Sequence, residues 1–187
     1  MRVGAVLAAT ALWAMSALAD DVVISVGPGG QYQRIVDVAD ADTDPGNYYT
    51  INAVPGIYLN DFPVVTRPMT IQVDPAFPGK RAILKATIPL PNQKGIILTI
   101  SSLHVNGLVL TGAQIDGLLG GNGAGLRDQN PENTPASLVV ENSVFHDNQA
   151  GILQGDDIAE TVTIINSRFK NNGTFHPHAV YIDEAAS

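Results

Sequence analysis

The chain has 187 residues, a formal net charge of −8, no cysteine, and apolar residues at 45% of positions. Without cysteine there are no disulfides and no thiolate zinc sites, so stability must come from packing and backbone hydrogen bonds. The acidic balance excludes the basic field that nucleic acid binding needs. It also argues mildly against long polyanionic glycans, unless a local basic cluster or bound cations offset the repulsion.

Residues 1–19, MRVGAVLAATALWAMSALA, carry one early Arg2, an apolar run from Val6 to Met15, and Ala17-Leu18-Ala19 before Asp20. That is the anatomy of a secretory signal cut after Ala19. The competing reading, a membrane anchor, needs a run of roughly 20 apolar residues, longer than this one. Cleavage removes Arg2, leaving nine Lys and Arg against eighteen Asp and Glu, a charge of −9. The expectation is a secreted or periplasmic domain of residues 20–187 with no membrane span.

After Asp21 one helix is expected, Tyr32 to Ala41 (YQRIVDVADA), where Ile35, Val38 and Ala39 recur at helical spacing behind the turn-like GPGG of residues 27–30. Later segments are short and rich in β-branched residues: YYTINAV, MTIQV, AILKAT, GIILTI, LHVNGLVL, SLVVEN, TVTIIN and AVYI. Gly, Asn, Asp and Pro separate them, as turns require. Regular short strands also fit an antiparallel sandwich, but internal repetition favours another architecture.

LVVENSVFHDNQ (138–149) and TVTIINSRFKNN (161–172) align at an offset of 24, which pairs Val140 with Ile164, Asn142 with Asn166, Ser143 with Ser167, Phe145 with Phe169 and Asn148 with Asn172. A weaker copy, LHVNGLVLTGAQ (103–114), aligns with the first at offset 35, the extra length falling to a loop in Ile115 to Gly121. GNGAGLR, DNQAGIL and HAVYI give a third recurring segment. A coil of three strands repeated about every 24 residues is the pattern of a solenoid of stacked parallel sheets. Asn142 and Asn166 are expected at a left-handed bend as a hydrogen-bonded ladder, with Phe145 and Phe169 stacked inside.

The stretch GPGGQYQRIVDVADADTDPGNYYTINAVPGIYLN resembles the opening of right-handed parallel β-helix proteins of the pectin-lyase-like group. The matching parts are the Gly-rich start (Gly27 to Gly30), a capping helix (Gln31 to Ala41), a strand (Tyr49 to Val54) and a PGxY turn (Pro55-Gly56-Ile57-Tyr58). The NSVFHDNQAGIL and NSRFKNNG rungs resemble the coil repeats of the same group, and together the similarity covers most of residues 20–187. It implies an all-β, right-handed parallel β-helix with a short N-terminal capping helix. The group's activities include pectate and pectin lyases, esterases, polygalacturonases, alginate epimerases and phage tailspikes. Their motifs are not matched: Asp156-Asp157 in QGDDIAE lacks the surroundings of the galacturonase pair, and neither the lyase calcium carboxylates nor the esterase signatures are recognisable. No family catalytic residue carries over. The chain ends at Ser187, soon after AVYI and without an obvious cap. That ending reads as a shortened copy, a piece of a longer helix, or a coil that caps itself by self-association.

The candidate site residues follow from the repeat. His146 stacks over Lys170 and Asp147 over Asn171 on the outer face; His146, Lys170 and Asp147 can bind and protonate a sugar acid, or can be an ordinary polar surface. Aligning GLR, GIL and AVY puts Arg127, Leu153 and Tyr181 in a second column. There Arg127 can clamp a carboxylate or merely pair with Asp128, and Tyr181 can stack on a sugar. His176 and His178 flank Pro177 and suit a metal or an acid/base pair, although no third metal ligand is evident; the alternative, which the residues favour, is a turn entering the last strand. Asp156, Asp157 and Glu160 form an acidic loop that can hold Ca2+ or simply be solvated. His104 is expected to face solvent. The partner expected is a polysaccharide or oligosaccharide, with Arg127 or Lys170 neutralising a uronate carboxylate and His146, His178 or Tyr181 exchanging the C5 proton. The rival is a non-catalytic surface or carbohydrate-binding module, or a relative without an active site.

Overall fold

The computed structural model describes residues 21–40, 47–116, 123–131, 136–155, 160–173 and 179–182, and over them the chain is a parallel β-helix. With strands numbered along the chain, the first sheet holds β1 (Asp21–Val26), β2 (Tyr48–Ala53), β5 (Met69–Val73), β8 (Leu103–Asn106), β11 (Ala136–Glu141) and β14 (Glu160–Ile165). The second holds β3 (Gly56–Leu59), β6 (Ala82–Lys85), β9 (Leu108–Thr111), β12 (Val144–His146) and β15 (Arg168–Lys170). The third holds β4 (Val64–Val65), β7 (Gly95–Thr99), β10 (Ala124–Asp128), β13 (Ala150–Gln154) and β16 (Val180–Tyr181). The chain visits the sheets in rotation, and neighbouring coils pair in parallel.

Strand alternation sends every second side chain inward, and the register sets those side chains in columns. The first sheet contributes Ile24, Ile51, Ile71, Val105 and Val140, with the exposed Ile164 continuing their register, and the third Ile97, Leu126, Ile152 and Val180. The second contributes Tyr58, Leu84, Leu110, Phe145 and Phe169. The expected aromatic stack is present: the Phe145 and Phe169 rings lie 5.0 Å apart and 11° from parallel.

Left-handed bends turn the chain from sheet to sheet. Gly107, Asn142 and Asn166 hold φ of 73°, 49° and 49° between the first and second sheets, and Asn60, Gly112, Asp147 and Asn171 hold 54°, 83°, 56° and 52° after the second. Asn, Asp and Gly accept this conformation at least cost. The left-handed bend at Gly107 breaks LHVNGLVL, expected as one run, into β8 and β9, and a Cβ there would also meet Val73 Cγ1 at 2.6 Å.

The asparagine ladder is found deeper than expected. Asn142 is at its left-handed bend but donates to Asn106 Oδ1 (3.1 Å), whereas the buried ladder joins Asn148 Nδ2 to Asn172 Oδ1 (3.1 Å). Asn148 also accepts from Ala113 N (2.9 Å) and donates to Leu110 O (3.0 Å), while Asn172 donates to Phe145 O (2.9 Å). These amides satisfy backbone groups at the turn out of the second sheet, where strand pairing stops.

At the N-terminal end α1 (Ile35–Asp40) begins three residues later than expected. Residues before it wind into a turn, with Gly27 N bonded to Tyr32 O and Gln31 N to Ser25 O, both at 2.8 Å. The helix starts where Asp61 can cap it: the carboxylate accepts from Ile35 N (2.7 Å) and Val36 N (2.9 Å). Burial pushes this carboxyl above the usual range, while the two amides and the Arg34 charge pull it back down. Ile35 and Val38 pack into the core, and the helix rests against β4. Gly56 to Tyr58, read as a turn from sequence, lie in β3, and β1 precedes all the strands expected. Among the described residues no helix is long and apolar enough to cross a membrane. Residues 1–19, Ala41, most of the loop expected within Ile115 to Gly121, and Ser187 lie outside the described residues.

Tyr58 closes the same end. Its hydroxyl lies 2.7 Å from Val54 O and 3.0 Å from Val26 O, one proton shared between two carbonyls. Gly27, at φ 111°, leaves that hydroxyl room, since a Cβ there would approach it to 2.5 Å. Burial, and secondarily the Asp61 charge, push the phenol from 10.0 up to about 12. A pKa raised on folding stabilises fully below the unfolded value and is lost as pH rises through the folded one. Denaturant unfolding should therefore show stability falling between pH 10 and about 12, with Tyr58→Phe flattening that fall. At neutral pH, Phe145→Ala should cost about 3–5 kcal/mol in the same measurement, because it opens a cavity beneath Phe169.

Candidate functional site

The outer face of the second sheet carries the most reactive group of side chains that the repeat predicts. In β12 the inward Phe145 fixes Val144 and His146 outward, and the register sets Val144 beside Arg168 and His146 beside Lys170 and Thr111. His146 over Lys170 is therefore as expected. Val144, His146, Asp147, Arg168 and Lys170 line a shallow depression of about 310 Å3.

His146 Nδ1 lies 2.7 Å from Asp147 Oδ2 and 3.2 Å from Thr111 Oγ1. A carboxylate only accepts, so this contact assigns the proton to Nδ1 and leaves Nε2 as the basic nitrogen. Asp147 also accepts from Asn171 Nδ2 (3.1 Å), which joins the two copies of the bend. The hydrogen bond from His146, then that from Asn171, holds the Asp147 carboxyl below its ordinary range. Its left-handed backbone turns it toward the side chain of the preceding residue. Asp147 thus both makes the bend and orients the histidine.

The second predicted column is present but lies on another sheet. Arg127 pairs with Leu98 and Leu153, and Leu153 with Tyr181, all in the third sheet. Arg127 is half-buried and Tyr181 is exposed, and neither lines the His146 depression. Strand alternation puts Arg127 and Asp128 on opposite faces of β10, and Asp128, fully buried, accepts from Asn130 Nδ2 at 2.7 Å. His104 is on the outer face of the first sheet, half-buried rather than free in solvent, 3.4 Å from Glu141 Oε2. Asp156, Asp157, His176 and His178 lie outside the described residues. Among those described, no group of three or more His, Asp or Glu is arranged to hold a metal ion.

Arg168 and Thr111 join the site without having been singled out by sequence. Arg168 was legible only as the varying partner of Val144 at offset 24, and Thr111 only once the third copy is set in register with His146. No protein-family model matches the chain, and no curated protein is similar enough to match it.

The contact between His146 and Asp147 has a direct spectroscopic consequence. In an NMR pH titration the Asp147 carboxyl should titrate below the ordinary aspartate range, and His146→Gln should move its midpoint upward.

Proposed function

We propose that this is an exported, carbohydrate-directed β-helix protein that takes a uronate-containing glycan on the outer face of its second sheet and acts there as a lyase or epimerase. The observation that carries the reading is the 2.7 Å contact between His146 Nδ1 and Asp147, which frees Nε2 as a base beside Lys170. Arg168 and Lys170 make this face locally cationic on a chain of net charge −8, as a sugar carboxylate requires. Residues 1–19 support export, and the coil architecture, together with the N-terminal stretch, supports kinship with the pectin-lyase-like group.

In this mechanism Lys170, reinforced by Arg168, pairs with the carboxylate and so acidifies the C5 hydrogen. His146 Nε2 takes that proton, and Asp147 stabilises the imidazolium that results. In a lyase the electron pair left at C5 forms the C4–C5 double bond as the C4–O bond breaks, and the leaving oxygen takes a proton from water admitted by the open depression. In an epimerase water on the opposite side returns a proton to C5, and the His146 imidazolium gives its own proton to the hydroxide so formed through solvent.

A non-catalytic glycan-binding module is the second reading. It is favoured by the shallowness of the depression and by the position of Arg127 and Tyr181 on a different sheet.

The test incubates the protein with a panel of polyuronates, with and without Ca2+, reading unsaturated product by absorbance at about 235 nm and epimerisation by NMR. Turnover is expected on at least one polymer, with a loss of about 100-fold or more in His146→Ala. Binding without turnover on any polymer would establish the module instead.

A further inference from the structure

The inner side of the third sheet changes character toward the ends of its strands. Ile97, Leu126 and Ile152 form an apolar column, but two residues further on the register stacks Thr99, Asp128 and Gln154, all buried. The Thr99 hydroxyl is engaged in its own turn, donating to Ser101 O (2.6 Å) and accepting from Ser101 N (3.2 Å). Asp128 and Gln154 therefore set a carboxylate and an amide one coil apart inside the solenoid. Arg127, next in sequence to Asp128, is on the opposite face of β10.

Asn130 comes back into the same place. It is only 5% exposed, and its Nδ2 donates to Asp128 Oδ1 at 2.7 Å. That contact fixes the amide, because turning it over would set two acceptors against each other. Oδ1 shares a carbon with Nδ2, so it too lies beside the carboxylate, and among the described residues no donor reaches it. A buried acceptor in that position loses its water and gains nothing, unless something positive is held there.

We infer that Asp128, Asn130 and Gln154 form an internal Ca2+ site that ties β10 to β13. The three side chains offer only oxygen as metal ligands, a carboxylate and two amides, which suits a hard cation and not zinc. Coils are about 4.8 Å apart and Ca–O bonds are about 2.4 Å, so one ion between Asp128 and the Gln154 amide spans the step. Ca2+ accepts an irregular set of oxygens, whereas Mg2+ demands a regular octahedron and keeps several waters, which suits an open site better than the inside of a solenoid. With a single carboxylate the affinity falls in the weak class, a Kd of about 10⁻⁴ to 10⁻³ M. The ion is remote from the His146 depression, and its binding is independent of the glycan reading.

The test is thermal unfolding of the protein after dialysis against EDTA, repeated with Ca2+ or Mg2+ added at equal ionic strength. About 10 mM Ca2+ should raise Tm by at least about 3 °C, with little change in Mg2+. Asp128→Asn, which removes the charge, and Asn130→Ala, which removes the amide oxygen and keeps the charge, should each abolish the rise; if Asp128→Asn does not fold, Asn130→Ala decides. The double substitution Asp156→Asn with Asp157→Asn should leave the rise intact. A rise lost in that double substitution, matched by Mg2+, or surviving in either single variant overturns the inference. Indifference to Ca2+ also overturns it, and assigns the partner of Asn130 Oδ1 to a buried water or to a proton on Asp128.

Discussion

Each coil is tied to the next by the hydrogen bonds of parallel strands, and that fixed step of about 4.8 Å governs which side chains the molecule can use. A residue is always placed on top of its counterpart one coil away. Inside, the counterparts must tolerate themselves: Phe145 stacks on Phe169, Asn148 bonds to Asn172, and Ser143 N donates to Ser167 Oγ. Outside, like charges in adjacent coils would repel, and in the column of Lys85 and Lys170 the two lysines are kept apart by Thr111 and His146. The left-handed bends keep the step in phase. A bend at Gly107, Asn142 and Asn166 means that each chain leaves the first sheet at the same angle, so the next strand starts in register.

Much of this was readable from the sequence because the step repeats. The recurrence of Asn-Ser, Phe and Asn at offset 24 defines a coil, and alternation within it separates inward from outward positions. What escaped is what does not repeat. β3 is a four-residue strand whose Pro-Gly lead imitates a turn, and β4 has only two residues. β1 alternates well, but among the described residues it pairs on one side only, at the edge of its sheet. The helix start was misjudged because its cap, Asp61, comes from 26 residues away rather than from the residues just before it.

The candidate site was legible to the same extent. Offsets place residues in columns, and both predicted columns are real: His146 with Lys170, and Arg127 with Leu153 and Tyr181. How two columns lie around the cross-section is another matter, since it depends on where the chain turns between sheets. The two belong to different sheets, and a mechanism that drew on both would have needed groups from separate faces. The role of Asp147 was hidden for a related reason. Its contact with His146 arises from a positive φ, and the sequence HDN does not announce which of its residues takes that conformation.

The spacing along the chain carries a further lesson. Tyr58 to Leu84 and Leu84 to Leu110 are each 26 residues apart, Leu110 to Phe145 are 35 apart, and Phe145 to Phe169 are 24 apart. In space each of these intervals is the same single step, because surplus residues leave through the connections and the strands return to register. Length in sequence is therefore decoupled from position on the outer face of the second sheet. A connection can be lengthened, trimmed or rewritten without shifting His146 against Lys170, so the rims of this groove and its floor are free to diversify on separate schedules.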